Sequence, residues 1–258
     1  MDIVIRKLEL HSPLHPAEKA ALRETFALVR EYGPGQDLLK QGERPGYVGA
    51  LLKGMLRRYK TLPEGRTQTV ALPVPGDLFD LHSFTLYSMD HGVGAISRAI
   101  VATATHSSVE SLIARHPRLG AMLWRETVVE ASVFREWVVN CGRTAHARMA
   151  HLFCEIFVRM EAVGLAANGG CAFPLTQGQL GEAIGLSIVH VNSVLQQLRA
   201  EGLVTMGAGR LEVRDWDGLV EAAGFDPLYL HLAERGAPRL SLTLGPNPVR
   251  LAPARASP

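Results

Sequence analysis

The stretch Leu175-Thr176-Gln177-Gly178-Gln179-Leu180-Gly181-Glu182-Ala183-Ile184-Gly185-Leu186-Ser187-Ile188-Val189-His190-Val191-Asn192-Ser193-Val194-Leu195-Gln196-Gln197-Leu198 reads as two short helices crossing at a tight turn. Thr176 with Gln179 three residues later is a capping box, which satisfies donors at the start of the first helix. Gly181 is small where a second helix must approach closely, Gly185 permits the turn, and Ser187 is suited to cap the second helix. Helical spacing on that second helix puts Val191, Val194, Leu195 and Leu198 on an inward face. The opposite face carries Val189, Asn192, Ser193 and Gln196, with Ile188 and His190 flanking. A merely solvated helix face is usually charged, whereas this one is small, amide-bearing and weakly apolar. Such groups suit the floor of a DNA major groove, where amides pair with adenine and an apolar side chain meets a thymine methyl. The segment is therefore expected to be a helix-turn-helix.

Downstream, Gly202-Leu203-Val204-Thr205-Met206-Gly207-Ala208-Gly209-Arg210-Leu211-Glu212-Val213 offers two short β runs about a glycine-rich turn. It is read as the wing of a winged helix-turn-helix, with Arg210 at its tip in reach of a phosphate. Upstream, Ala145 to about Val163 is a helix, with Met149, Leu152, Phe153, Ile156 and Met160 on one side. Cys141-Gly142-Arg143-Thr144 breaks the preceding helix and is placed as the hinge between domains. That preceding helix starts after Pro117 and carries Leu119, Leu123, Thr127, Ala131, Phe134, Val138 and Cys141 on one stripe. Such a stripe packs either on its own domain or against a second copy, and Leu119 through Val138 are taken as the dimer seam.

From about Glu31 to Ser108 the chain changes character. Gly33-Pro34-Gly35, Lys53-Gly54, Pro63-Glu64-Gly65 and Pro73-Val74-Pro75-Gly76-Asp77 punctuate short apolar runs such as Tyr47–Leu52 and Thr69–Leu72. This spacing argues for an antiparallel roll or barrel, preceded by a short helix from about Pro16 to Leu22. The fold class is thus α+β: an N-terminal antiparallel β-roll, a long dimerisation helix and a C-terminal winged helix-turn-helix. The expected boundaries are 1–117 for the roll, 118–142 for the long helix and hinge, and 143–235 for the DNA-binding domain. Residues 236–258, rich in Pro, Ala and Arg, form an expected disordered tail.

Composition narrows the classes further. The 258 residues are 47% hydrophobic and 20% charged, ordinary for a globular protein. No apolar run is long enough to span a membrane, and the N-terminus lacks the layout of a secretory signal. Three cysteines, Cys141, Cys154 and Cys171, are too few and scattered for a disulfide scaffold or a cysteine-rich metal site, so a cytoplasmic setting is expected. A net charge of +2 does not by itself indicate nucleic acid, so the DNA reading rests on arrangement. No nucleophile elbow, P-loop, zinc-protease motif or dinucleotide fingerprint is present, so no enzyme is expected. The competing reading is a ligand-binding or protein-interaction module whose helix-turn-helix does not read DNA, because positive charge near the second helix is sparse.

Roll, long helix, hinge and winged helix-turn-helix, in that order over roughly Leu8 to Asp215, resemble the Crp/Fnr family of transcription regulators. Ser187-Ile188-Val189-His190-Val191-Asn192 is similar to a version found in proteobacterial members, and Phe225-Asp226-Pro227-Leu228-Tyr229-Leu230-His231-Leu232 to a C-terminal extension in the same group. The resemblance implies a homodimer that reads a near-palindromic site in double-stranded DNA, with RNA polymerase as a further partner. Thr176, Gln177 and His190 match family positions that face the sugar-phosphate backbone. Where other members place arginine or glutamate, this chain has Ile188, Val189 and Ser193, so their target preferences do not transfer.

Pro75-Gly76-Asp77-Leu78-Phe79 is similar to a turn of the cyclic-nucleotide-binding fold. The effector pocket implied by the resemblance involves Leu81, His82, His91 and Gly92. The Gly-Glu pair and the Arg-Ser/Thr pair of cyclic-AMP-binding members are replaced by Asp80-Leu81 and His91-Gly92. Leucine cannot accept a ribose hydroxyl, a carboxylate repels the phosphate, and a neutral histidine does not replace a bidentate arginine, so cyclic AMP is not the expected effector. All cysteines lie at Cys141 or later, which excludes the N-terminal cluster of iron–sulfur members. His82 and His91 are the residues a haem would use, but scattered histidines alone do not support one, and no cofactor or metal is expected.

Overall fold

The computed structural model describes residues 1–232; the tail expected over 236–258 lies outside the described residues. Two helices, α1 (Asp2–Glu9) and α2 (Pro16–Thr25), open the chain. Eight strands follow: β1 (Leu28–Tyr32), β2 (Asp37–Leu39), β3 (Tyr47–Lys53), β4 (Leu56–Thr61), β5 (Thr67–Ala71), β6 (Leu78–Phe79), β7 (Gly92–Ala95) and β8 (Ala99–Thr105). They form two antiparallel four-stranded sheets, ordered β1-β8-β3-β6 and β2-β7-β4-β5. Leu39, Leu51, Leu56, Phe79, Val93 and Val101 fill the space between the sheets. The expected roll is thus present, with non-consecutive strands paired, as in Ala50 of β3 opposite Ala102 of β8.

Helices α3 (His106–Arg115) and α4 (Pro117–Cys141) follow, then α5 (Ala145–Ala162). Thr144 caps α5 by accepting from the amide of Ala147, as the hinge reading required. Strands β9 (Ala166–Ala167) and β10 (Gly170–Ala172) precede α6 (Gln177–Ile184) and α7 (Ile188–Ala200), and β11 (Val204–Gly207), β12 (Arg210–Val213) and α8 (Trp216–Ala223) follow. The wing is larger than a hairpin: β11, β12, β10 and β9 form one sheet in that order.

Sequence reading treats roll and DNA-binding domain as separate bodies, but their cores are continuous. Met55, Leu72, Val74 and Ile96 of the roll lie in one apolar cluster with Phe153, Ile156, Leu180, Val194 and Leu198. Polar bridges reinforce the junction. Asp77 of the roll binds both Lys7 of α1 (2.8 Å) and Arg159 of α5 (2.6 Å). Arg159 also meets the fully buried Glu155, which accepts hydrogen bonds from the Trp137 indole and the Tyr229 hydroxyl. Glu155 is thereby the point where α4, α5 and the C-terminal turn Pro227–Leu230 converge. Burial raises its carboxyl above the usual range, against the pull of Arg159.

Two histidines give the fold an acid sensitivity. Burial, with Arg143 adding to it, holds His151 down to about 4, and burial with Arg125 holds His11 down to about 4. In the unfolded chain a histidine titrates near ~6.5, so below that the unfolded state takes up protons the native state refuses. The contribution is complete above the unfolded value and is lost as pH falls toward 4. Each histidine is expected to remove about 2 kcal/mol of stability between pH 7.5 and 5. Urea denaturation across that range checks this, and the slope is expected to be shallower in His151→Phe.

Candidate nucleic-acid interface and effector cavity

Local chemistry places the two crossing helices as the sequence requires. Thr176 Oγ1 accepts from the Gln179 amide while Gln179 Oε1 accepts from the Thr176 amide at 2.9 Å, a complete capping box. A Cβ on Gly181 would lie 2.5 Å from the Leu186 carbonyl oxygen, so only glycine lets the turn close over α6. Gly185 ends α6 at φ 69°, a left-handed conformation that glycine adopts without strain. Ser187 caps α7 through the His190 amide. Val191, Val194, Leu195 and Leu198 are buried, and Ile188, Val189, His190, Asn192, Ser193 and Gln196 are exposed, with Val189 81% accessible. Thr176 and Ser187 lie at the starts of the two helices, and Gln177 is half-buried at the start of α6, beside the α7 face. Arg210 is exposed where β12 leaves the two-residue turn at the wing tip, opposite Gly207 and Ala172, and its guanidinium lies over Gly170 of β10.

The long helix also departs from expectation. Leu119 and Leu123 are buried in the core of their own chain with Leu8, Leu22, Val109 and Leu112, so they are unavailable to a second copy. Thr127 is half-buried and donates to the Leu123 carbonyl, and Phe134 faces a cavity. Of the expected seam, Ala131 and Val138 are the residues left on the outer side. The outward apolar stripe is Trp124, Val128, Ala131 and Val138: its second half is as expected, and its first half is shifted by one residue from Leu123 and Thr127. Both faces of α4 are apolar, one toward its own domain and one outward, and a linear period cannot say which is which.

A cavity of about 680 Å³ lies between the roll, α4, α5 and the end of α6, and Arg58, His82, His91, Phe134, Trp137 and Cys141 are among its lining residues. Of the four residues expected in the pocket, His82 and His91 line it and two do not. Leu81 packs into the N-terminal core instead. Gly92 lies in β7 under the Tyr59 ring, where a Cβ would be 2.5 Å from the aromatic carbons. Sequence reasoning missed Arg58, 1% exposed on β4, which contacts Asp80 at 3.3 Å and is paired with Glu130 of α4. Its Nη2 has no hydrogen-bond partner among the described residues. The available signal was its place two residues after the buried Leu56 on the same strand, hence the same face.

Asp80 occupies a left-handed conformation at φ 61°, with its carboxylate 3.2 Å from His91 Nε2. Burial would raise its pKa, but the His91 hydrogen bond and the Arg58 charge outweigh this and hold it below the usual value. Hydrogen bonds from His91 and Lys60 pull Asp90 down to about 2. Burial, with Arg58 beside it, lowers His82. Also missed was Glu182 of α6, which meets Arg57 and Thr67 of the roll through its side chain and accepts from Gln68 at its carbonyl. The helix-turn-helix is thus clamped to the sheet that borders the cavity.

Residues 147–222 match the Crp-like helix-turn-helix domain and residues 29–116 the cyclic nucleotide-binding domain. The chain belongs to the Crp/Fnr family of transcription regulators. It is similar to the transcriptional activator protein FnrL of Cereibacter sphaeroides, 27% identical over 81% of this chain and 86% of that protein. It is similar also to the nitrogen fixation regulation protein FixK of Bradyrhizobium diazoefficiens, 24% identical over 83% of this chain and 89% of the relative. Among solved structures, FixK2 from Bradyrhizobium japonicum superposes with a TM-score of 0.68 at 27% identity, covering 76% of this chain and 96% of that one. The protein is therefore a DNA-binding regulator of the Crp/Fnr type. Regulators of this family bind DNA and typically act as dimers. No helix among the described residues is long and apolar enough to cross a membrane.

Proposed function

We propose that this Crp/Fnr regulator acts in the cytoplasm as a homodimer, reads a near-palindromic duplex site through α7, and is switched by a ligand in the 680 Å³ cavity. The observation that carries the reading is the outward face of α7. Val189, Asn192, Ser193 and Gln196 are exposed together on a helix whose other side is fully packed, and none of them is charged. Two such faces would enter successive major grooves about 34 Å apart. Thr176, Gln177 and His190 would meet the flanking backbone and fix register. RNA polymerase is the further partner we assign, in keeping with the activator name of the FnrL relative.

The seam of the dimer is Trp124, Val128, Ala131 and Val138. These residues step by four, three and seven along α4, the heptad spacing of a two-stranded coiled coil, and Trp124 and Val138 are 70% and 74% exposed in the single chain. Trp124→Glu is expected to raise the dimer dissociation constant about 100-fold, the loss of a buried aromatic anchor worth ~2.7 kcal/mol. Sedimentation across a concentration series reads this out. An unchanged dimer would place the seam elsewhere.

The effector mechanism follows from what the cavity touches. Its walls come from the roll, α4 and the Cys141 end of the hinge, and the α6 end that Glu182 clamps to the roll lies beside it. A ligand that binds one arrangement of these elements better than another shifts their balance, and only by that difference in affinity. Cyclic AMP does not fit the lining, because Asp80 already occupies the Arg58 guanidinium and His91 stands where the resemblance requires arginine. The test of the whole reading is selection from a random duplex library by the purified chain. The expected product is an inverted repeat with half-sites one turn apart. Selection of no sequence, with and without cell metabolites, would overturn it.

A further inference from the structure

We infer that Asp80, His82 and His91 form a binding site for one divalent transition-metal ion, with its open coordination positions facing the cavity. One ligand atom from each residue lies within 4.8 Å of the others, and Asp80 and His91 are buried while His82 is half-buried. Two ligands that share a metal at ~2.1 Å sit roughly 3–3.5 Å apart, so side-chain movements of about an ångström close the site.

The hydrogen bonding of His91 carries the argument. Its Nδ1 lies 2.9 Å from Asp90 and its Nε2 lies 3.2 Å from Asp80, a carboxylate at each ring nitrogen. Both ring nitrogens therefore face carboxylate acceptors, and Nε2 is the one turned toward Asp80 within the cluster. A cation between Nε2 and Asp80 would take the place of the hydrogen bond at that nitrogen. The Asp90 contact then becomes the outer hydrogen bond that fixes the tautomer of a metal-bound histidine. His82 completes the set: its ring makes no hydrogen bond among the described residues, and it stands 5.5 Å from the His91 ring, centroid to centroid.

Charge is compatible as well. Around the three ligand atoms, Asp80, Asp90 and Glu130 face the side chains of Arg58 and Lys60, so carboxylates lie on more than one side of the cluster. Two imidazoles and one carboxylate suit zinc or ferrous iron rather than magnesium or calcium, which favour all-oxygen sites. Three protein ligands leave room for an exogenous one, and the unpartnered Arg58 Nη2 lines the same cavity as a donor for an acceptor bound there.

The site lies in the cavity proposed above for the effector but stands on its own side chains, so metal and DNA binding are measured separately. The full chain, stripped with chelator, is titrated with Zn²⁺ by calorimetry and with Co²⁺ by absorption. One equivalent per chain is expected, with cobalt bands of imidazole coordination. His82→Ala and His91→Ala are expected to weaken Zn²⁺ binding at least 100-fold and Asp90→Asn about 10-fold, as loss of an outer partner does. His116→Ala is expected to leave it unchanged. Thermal denaturation of each variant separates misfolding from ligand loss, and Asp90→Asn, at an exposed position, tests the site with the core intact. Absence of stoichiometric binding, or equal binding in the folded His82→Ala/His91→Ala chain, overturns the assignment. A chain that binds Zn²⁺ but selects no DNA would keep the site and sink the regulatory reading.

Discussion

Replacing Asn192 and Gln196 together by alanine is expected to lower affinity for the selected site at least ~1000-fold while leaving non-specific duplex binding intact. A well-placed amide bonded to a base is worth ~1–3 kcal/mol of discrimination, and a symmetric dimer carries each such amide twice. Removing two amides from both subunits therefore exceeds the ~4 kcal/mol that the expected change requires. Both side chains are exposed, so the folded state should be unaffected and the thermal midpoint unchanged. The salt dependence should also stay the same, because phosphate contacts from other residues set it. Fluorescence anisotropy with specific and scrambled duplexes checks all of this. A parallel fall on both duplexes would mean that these residues serve general affinity and not recognition.

Phe153→Ala is the substitution expected to cost most stability, about 3–5 kcal/mol. Phe153 is fully buried on α5 and packs edge-on against Phe173, ring centroids 5.4 Å apart. Its removal leaves a void at the centre of the cluster shared by roll and helix-turn-helix, where both backbones limit collapse. Urea denaturation by tryptophan fluorescence is expected to show a lower midpoint with the same single-transition slope. Phe153→Leu, which keeps most of the volume, should retain most of the stability. A cost below about 1 kcal/mol would show that the site repacks.

The helix-turn-helix is legible in the sequence because its determinants are local. Thr176, Gln179, Gly181, Gly185 and Ser187 act within a few residues, and caps and turns are written at that range. The roll is legible as a class, from turn residues between short apolar runs, but not in its pairing. Ala50 meets Ala102 across the chain, and nothing adjacent to either says so. Helix α1 is not visible in the sequence pattern, and its short apolar face acquires meaning only against β3 and the rest of the N-terminal core. The outward stripe of α4 is legible at Ala131 and Val138 but one residue out of phase at Trp124 and Val128, because α4 is apolar on two sides. The cavity is half legible. His82 and His91 come from the resemblance, whereas Arg58, Asp80 and Glu130 meet only through tertiary contact. Glu182, an ordinary polar residue in sequence, becomes a clamp once β4 and β5 lie beside it.

The shared apolar cluster has a consequence for how the regulator fails. Met55, Leu72, Val74 and Ile96 of the roll are packed with Phe153, Leu180 and Leu198 of the helix-turn-helix half, so neither half can shed its partner without exposing its own interior. A lesion in the roll is therefore expected to loosen the DNA-reading half as well. Such a chain is expected to be cleared with other unfolded protein, so that loss of the roll and loss of DNA binding arrive together.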